Sequence, residues 1–111
     1  MSQQRKENKP VVIHGVLRDE YERIGRMIEI HRAEIAKMPK GVVREKRVQG
    51  RVYPYLHFRD SDGKIKDVYI KGGDSAIAAM KDQVAQRKQR ESALKQFRRE
   101  QKEIERILKK K

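Results

Sequence analysis

Leu17, Tyr21, Ile24, Ile28, His31, Ile35 and Met38 follow one another at alternating steps of four and three residues. That is the a/d spacing of a heptad seam, held for about three heptads. The positions between are mostly Arg, Glu, Asp and Lys, as a solvated outer face requires. The spacing predicts a coiled-coil-like helix over residues 17–38, about 30 Å long. Pro39 and Gly41 end it. Ahead of it, MSQQRKENK is polar and aperiodic. Residues 1–16 are therefore expected as a flexible tail with a short extended segment after Pro10.

Beyond Gly41 the period falls to two. Val42–Val48 alternates loosely and Gln49-Gly50 makes a tight turn. Arg51–Arg59 is a clear strand, with Val52, Leu56 and Phe58 on one face and Tyr53, Tyr55 and His57 on the other. Pro54 has no N–H to donate, which predicts an edge position or a bulge there. Ser61-Asp62-Gly63 turns the chain into a return strand over 64–70, so residues 42–70 are expected as a three-stranded antiparallel sheet. Lys71-Gly72-Gly73 breaks the pattern, and Asp74 or Ser75 caps a long basic amphipathic helix over 74–110. Its apolar stripe is bipartite. Ile77, Met80 and Val84 share one face; Leu94, Phe97, Ile104 and Leu108 share another, rotated by roughly 120° at 100° per residue. The intervening AQRKQRES has almost nothing apolar.

The expected class is α+β: an N-terminal heptad helix, a three-stranded antiparallel β-sheet and a long C-terminal helix. The helices form a hairpin or contribute to a coiled coil, with the sheet at one end. The polar middle of the second helix is a poor partner for Ile28 and Ile35. That favours pairing with a second chain for part of the seam, as a homodimer.

Composition limits the core. Of 111 residues 36% are hydrophobic and 41% charged, which fits one small module with solvated helices. The net charge is +13, and it is unevenly spread. Residues 17–38 balance five basic against five acidic groups, whereas residues 39–73 carry +5 and 74–111 carry +6. Such a localised excess draws polyanions, DNA or RNA first and an acidic protein or anionic membrane second. The chain has no cysteine, which excludes disulfides and thiolate metal sites, and no apolar run of signal or membrane length. A cytoplasmic location is expected, and no membrane association. The stripe of the second helix has no Trp and only one Phe, which suits a partner helix better than a lipid surface.

Two stretches carry candidate chemistry. On the second helix Lys88, Lys95, Arg98, Arg99, Lys102 and Arg106 fall in one sector, a basic ridge able to track phosphates. An ordinary solvated face made of good helix formers is the competing explanation. The sheet brings Arg44, Lys46 and Arg47 on its first strand, Arg51, Tyr53, Tyr55, His57 and Arg59 on its second, and Lys64, Lys66 and Tyr69 on its third. A face of rings and cations can donate to phosphates and contact bases. Tyrosines that merely cross-pair to stiffen a small sheet are the alternative.

The order strand, turn, aromatic strand, RDSDGK, strand, short break, Ala-rich helix resembles the three-stranded arm-type (AP2-like) DNA-binding domain of tyrosine recombinases, over residues 43–84. The resemblance implies a sheet lying in the major groove with the following helix packed behind it. It assigns DNA contacts to Arg44, Lys46, Arg47, Arg51, Tyr53, Tyr55, His57, Arg59 and Lys66. The wider pattern PKG-x-V…G-R-x-Y-x-Y-L…R-D…G-K between two charged helices is similar to a family of small, uncharacterised prokaryotic proteins. That likeness implies a fold and no activity.

Catalytic patterns are missing. His14, His31 and His57 lie on different elements without carboxylates at metal-ligand spacing, and His31 belongs to the helix seam. Asp60-Ser61-Asp62-Gly63 lacks the later ligands of a calcium loop and is expected as a turn. No phosphate-binding glycine loop or nucleophile motif is present. The expectation is a protein that is not an enzyme and needs no cofactor or metal. It would bind nucleic acid, double-stranded DNA in preference to RNA. The alternative is a coiled-coil assembly or inhibitor protein, of a phage- or mobile-element kind, gripping an acidic protein or a ribonucleoprotein.

Overall fold

The structure, a computed structural model, describes residues 2–109, with side chains from residue 13 onward. Its elements are α1 (Ser2–Lys37), β1 (Val42–Val48), β2 (Arg51–Arg59), β3 (Ile65–Tyr69) and α2 (Gly73–Lys109). This is the α+β arrangement that the two periods predict. One correction concerns the start. The tail and extended segment expected over 1–16 are helical from Ser2. Gln, Arg, Lys and Glu are good helix formers, and a helix anchored by its later turns propagates into them.

The chain divides into two compact units, residues 1–33 with 91–111, and residues 34–90. In the first, α1 and α2 run antiparallel. Tyr21 Oη donates to Glu105 Oε2 at 2.7 Å and His31 stacks on Phe97 at 5.6 Å, so rising numbers on one helix meet falling numbers on the other. Ile24, Ile28 and Ile104 form the buried centre, with Leu17, Tyr21, Leu94, Phe97 and Leu108 packed around it. The part of the heptad seam from Leu17 to Ile28 thus has an apolar partner on α2 of its own chain.

In the second unit the strand order is β1-β2-β3, both pairs antiparallel. Of the face expected from Val52, Leu56 and Phe58 only Leu56 is buried, together with Ile70 after β3 and Val84 of α2. Val52 and Val68 share the inward parity but stay 43% and 50% exposed, one next to the turn and the other on an edge strand. Arg87 closes the end of α1. Its Nη1 donates to the carbonyl of Ile35 at 2.9 Å, which also accepts the Met38 N–H at 3.1 Å, and to the carbonyl of Met38 at 2.7 Å, just past the last turn. Gly41, at φ +132°, lets β1 start close to β2, since a Cβ there would overlap the His57 carbonyl oxygen.

Pro54 is the second correction. It sits in the central strand, neither at an edge nor at a bulge, and the register runs through it unbroken from Glu45↔Pro54. The hydrogen-bond parity explains why it is tolerated. Pro54 accepts from Ile70 N at 3.1 Å, so its missing N–H would have faced Ile70, one residue past the end of β3. The ladder loses only its last bond.

The β2–β3 turn is held by Asp60. Its Oδ1 accepts from the N–H groups of Asp62 and Lys64, both at 2.9 Å, and Lys66 Nζ stands 3.2 Å from Oδ2. These donors, the Lys64 N–H foremost, hold the Asp60 carboxyl below its usual range. A depressed carboxylate contributes stability that is complete above the unfolded value, about 3.9, and is lost as pH falls through the lower folded value. In a carboxyl-carbon NMR titration Asp60 should reach its midpoint below that reference. Asp60→Ala should loosen the turn at neutral pH and abolish this acid-side loss. A midpoint at or above the reference would mean that the carboxylate is not the clamp.

Candidate nucleic-acid interface

Strand parity sorts the candidates on the sheet. Arg44 lies opposite Tyr55, Lys46 opposite Tyr53, and on the other side Tyr55 opposite Tyr69 and His57 opposite Asp67. Opposite residues share a face. Arg44, Lys46, Arg51, Tyr53, Tyr55, His57 and Arg59 therefore stand together on the face away from Leu56 and Ile70. The remaining two sheet candidates do not. Arg47 opposes Val52 and Lys66 opposes Phe58, which places both on the inward parity. Lys66 is moreover engaged with Asp60.

This face is open. No residue on it is buried, and Tyr53 and Tyr69 are 38% and 53% exposed. Its side chains are ordered by one another. Tyr53 and Tyr69 approach to 6.3 Å between ring centroids at 60°, and Lys46 Nζ lies 5.6 Å over the Tyr55 ring. His57 Nδ1 is 2.7 Å from Asp67 Oδ1. A carboxylate only accepts, so the imidazole carries its proton on Nδ1 and leaves Nε2 as the nitrogen not engaged by Asp67. Arg59 is partly committed, with Nη1 donating to the Gly63 carbonyl at 2.6 Å.

Asp67 belongs to the face although nothing in the sequence nominated it, and so does Tyr69, noted on the third strand but not among the assigned contacts. The signal was available. Once β2 and β3 are joined by a short turn from Asp60, counting outward places Tyr69 opposite Tyr55.

The basic ridge is divided between the units. Lys95, Arg98, Arg99 and Lys102 lie in the first, where they line a shallow cleft of about 450 Å³ along α2 with Glu91 and Leu94. None of these four side chains forms an ion pair with a described residue of the chain, and Glu91 is the one acidic group lining the cleft with them. Arg106 is paired with Glu103 at 3.3 Å. Lys88 stands apart in the second unit, beside a cleft shared with Val43, Lys81 and Val84.

Among the described residues no group of three or more His, Cys, Asp or Glu is placed to hold a metal ion, and no helix is long and apolar enough to cross a membrane. Comparison with known proteins gives no match to a family model, a curated protein or a solved structure.

Proposed function

We propose that this chain is a non-catalytic nucleic-acid-binding protein whose ligand is double-stranded DNA in preference to RNA. One observation carries the reading. Seven of the nine basic, aromatic and imidazole groups assigned as contacts on the sheet stand on a single uncovered face, where Tyr69 adds a third tyrosine ring among the cations. Cations supply phosphate contacts, while rings and the His57 Nε2 edge offer contacts to bases. Three strands at about 4.8 Å spacing measure roughly 10 Å across, a match for the major groove of B-DNA at about 12 Å. The deep, narrow major groove of A-form RNA does not admit them. The likeness to the arm-type domain of tyrosine recombinases points the same way. The four cations of α2 that form no described ion pair act as a second, sequence-blind phosphate surface.

Fluorescence anisotropy against labelled duplex DNA, single-stranded DNA and structured RNA, each titrated across salt, tests the proposal. Duplex should bind most tightly, with log K falling against log salt by about 0.9 per neutralised phosphate. Neutralising Lys95, Arg98, Arg99 and Lys102 together should lower that slope by roughly 2–4 and weaken all ligands alike. Weak binding, equal for all three and gone at moderate salt, would defeat the proposal.

A further inference from the structure

The two free edges of the sheet differ. β1 guards its edge with Arg44, Glu45, Lys46 and Arg47 in a seven-residue strand, and runs of charge of this kind discourage strand addition. β3 carries only Lys66 and Asp67, and each is already satisfied inside the hairpin. Lys66 pairs with Asp60 at 3.2 Å and Asp67 with His57 at 2.7 Å. What remains outward is apolar: Ile65, Val68 and Tyr69 are 58%, 50% and 53% exposed. Among the described residues β2 is the only element that packs extensively along β3.

The backbone on that edge is available too. Asp60 N donates to Lys64 O at 2.8 Å and Ile70 N to Pro54 O at 3.1 Å, which fixes the even-numbered residues of the return strand as those bonded to β2. In an antiparallel ladder the alternate residues point the other way. The N–H and C=O groups of Ile65, Asp67 and Tyr69 therefore face away from β2. Lys64 and Lys71 bracket this row at its two ends, and neither side chain has a partner among the described residues.

We infer that the β3 edge is a strand-addition site for an extended segment of another protein, apolar and β-branched at its centre and acidic at both ends. Main-chain bonds to Ile65, Asp67 and Tyr69 supply the docking, and Lys64 and Lys71 select the acidic flanks. A second copy of this chain is the poorer occupant, because its net charge of +13 opposes self-association and its own β3 is flanked by the same lysines. The site does not depend on the nucleic-acid reading, since its docking is made by main-chain groups of the β3 edge, although the Tyr69 ring stands on the tyrosine face as well.

The test uses the full chain, isotopically labelled, and a synthetic peptide Glu-Val-Thr-Val-Thr-Val-Glu, with the Lys-flanked version as control. Amide resonances and hydrogen exchange are followed at Ile65, Asp67 and Tyr69, with Val43, Glu45 and Arg47 of the β1 edge as internal reference. The expected result is saturable shifts and added protection at the β3 amides for the Glu-flanked peptide alone. Lys64→Glu with Lys71→Glu, exposed and outside every described ion pair, should weaken that peptide about tenfold or more and strengthen the Lys-flanked one. Ile65→Pro removes one outward N–H at the first position of the strand, where proline is tolerated, and should weaken binding in a hairpin that stays folded. Three results would overturn the inference: no shifts, equal shifts at both edges, or protection of the three amides that rises with protein concentration before any peptide is added. The last would make a second copy the occupant.

Discussion

Ile24→Ala should lower the stability of the helix pair by about 2–4 kcal/mol, measured as the shift of a urea unfolding curve followed by far-UV circular dichroism. Ile24 is 1% exposed and is the most deeply buried large side chain. Its neighbours Ile28 and Ile104 are the other two buried members of the cluster. A long helix pair closed by so few buried side chains has little to redistribute when one is truncated. The cluster around it draws on both helices, with Leu17 and Tyr21 of α1 and Leu94, Phe97 and Leu108 of α2, which places the cost in the usual range for core Ile→Ala. Ile107→Ala, 42% exposed on α2, should stay within about 0.5 kcal/mol and serves as the comparison. A loss below about 1 kcal/mol at Ile24 would mean that the seam is not the element holding α1 to α2.

Tyr53→Ala combined with Tyr55→Ala should weaken duplex DNA binding by roughly 30- to 100-fold while the protein stays folded, from two ring contacts at about 1 kcal/mol or slightly more each. The salt slope should remain nearly that of the parent, because rings neutralise no phosphate. Folding should survive, since the buried side of the sheet is built by Leu56 and Ile70 and neither ring reaches it. The cost to stability is the lost Tyr53–Tyr69 ring pair and the lost Lys46 contact over Tyr55, together about 1–2 kcal/mol. Amide dispersion in an NMR spectrum checks the fold directly. Unchanged affinity in a folded double variant would remove the sheet face from the site and leave α2 as the only phosphate surface.

These two variants probe separate units, so their effects should add within a few tenths of a kcal/mol. A variant of one that altered the readout of the other would show that the units are energetically coupled.

The elements of the fold were legible because local periodicity reports them. Steps of three and four marked α1, alternation marked β2, and glycine with Asp60-Ser61-Asp62-Gly63 marked the turns. The halves of the α2 stripe were also readable, and Leu94, Phe97, Ile104 and Leu108 do pack on α1. What periodicity does not carry is the identity of the partner across a seam. Ile28 displays the same spacing whether it meets α2 of its own chain or a helix of another. Pro54 misled for a related reason. Its missing N–H does mark an unpaired position, but only the length of β3 shows that the position falls at the end of the ladder.

The candidate interface divides along the same line. Composition and alternation alone placed cations and rings on β2 and put Tyr53, Tyr55 and His57 on one side of it, since side-chain direction in a strand has period two. Cross-strand register then decided the rest, because a one-residue slip transfers a whole strand to the opposite face. Register brought in Tyr69 and Asp67, turned Arg47 and Lys66 away, and left Ile65, Asp67 and Tyr69 with backbone groups facing outward at an edge. Sequence by itself determined which chemistry this protein carries and on which elements. The tertiary structure decided which of those groups stand together, because pairing between strands and between helices joins residues that local spacing never compares.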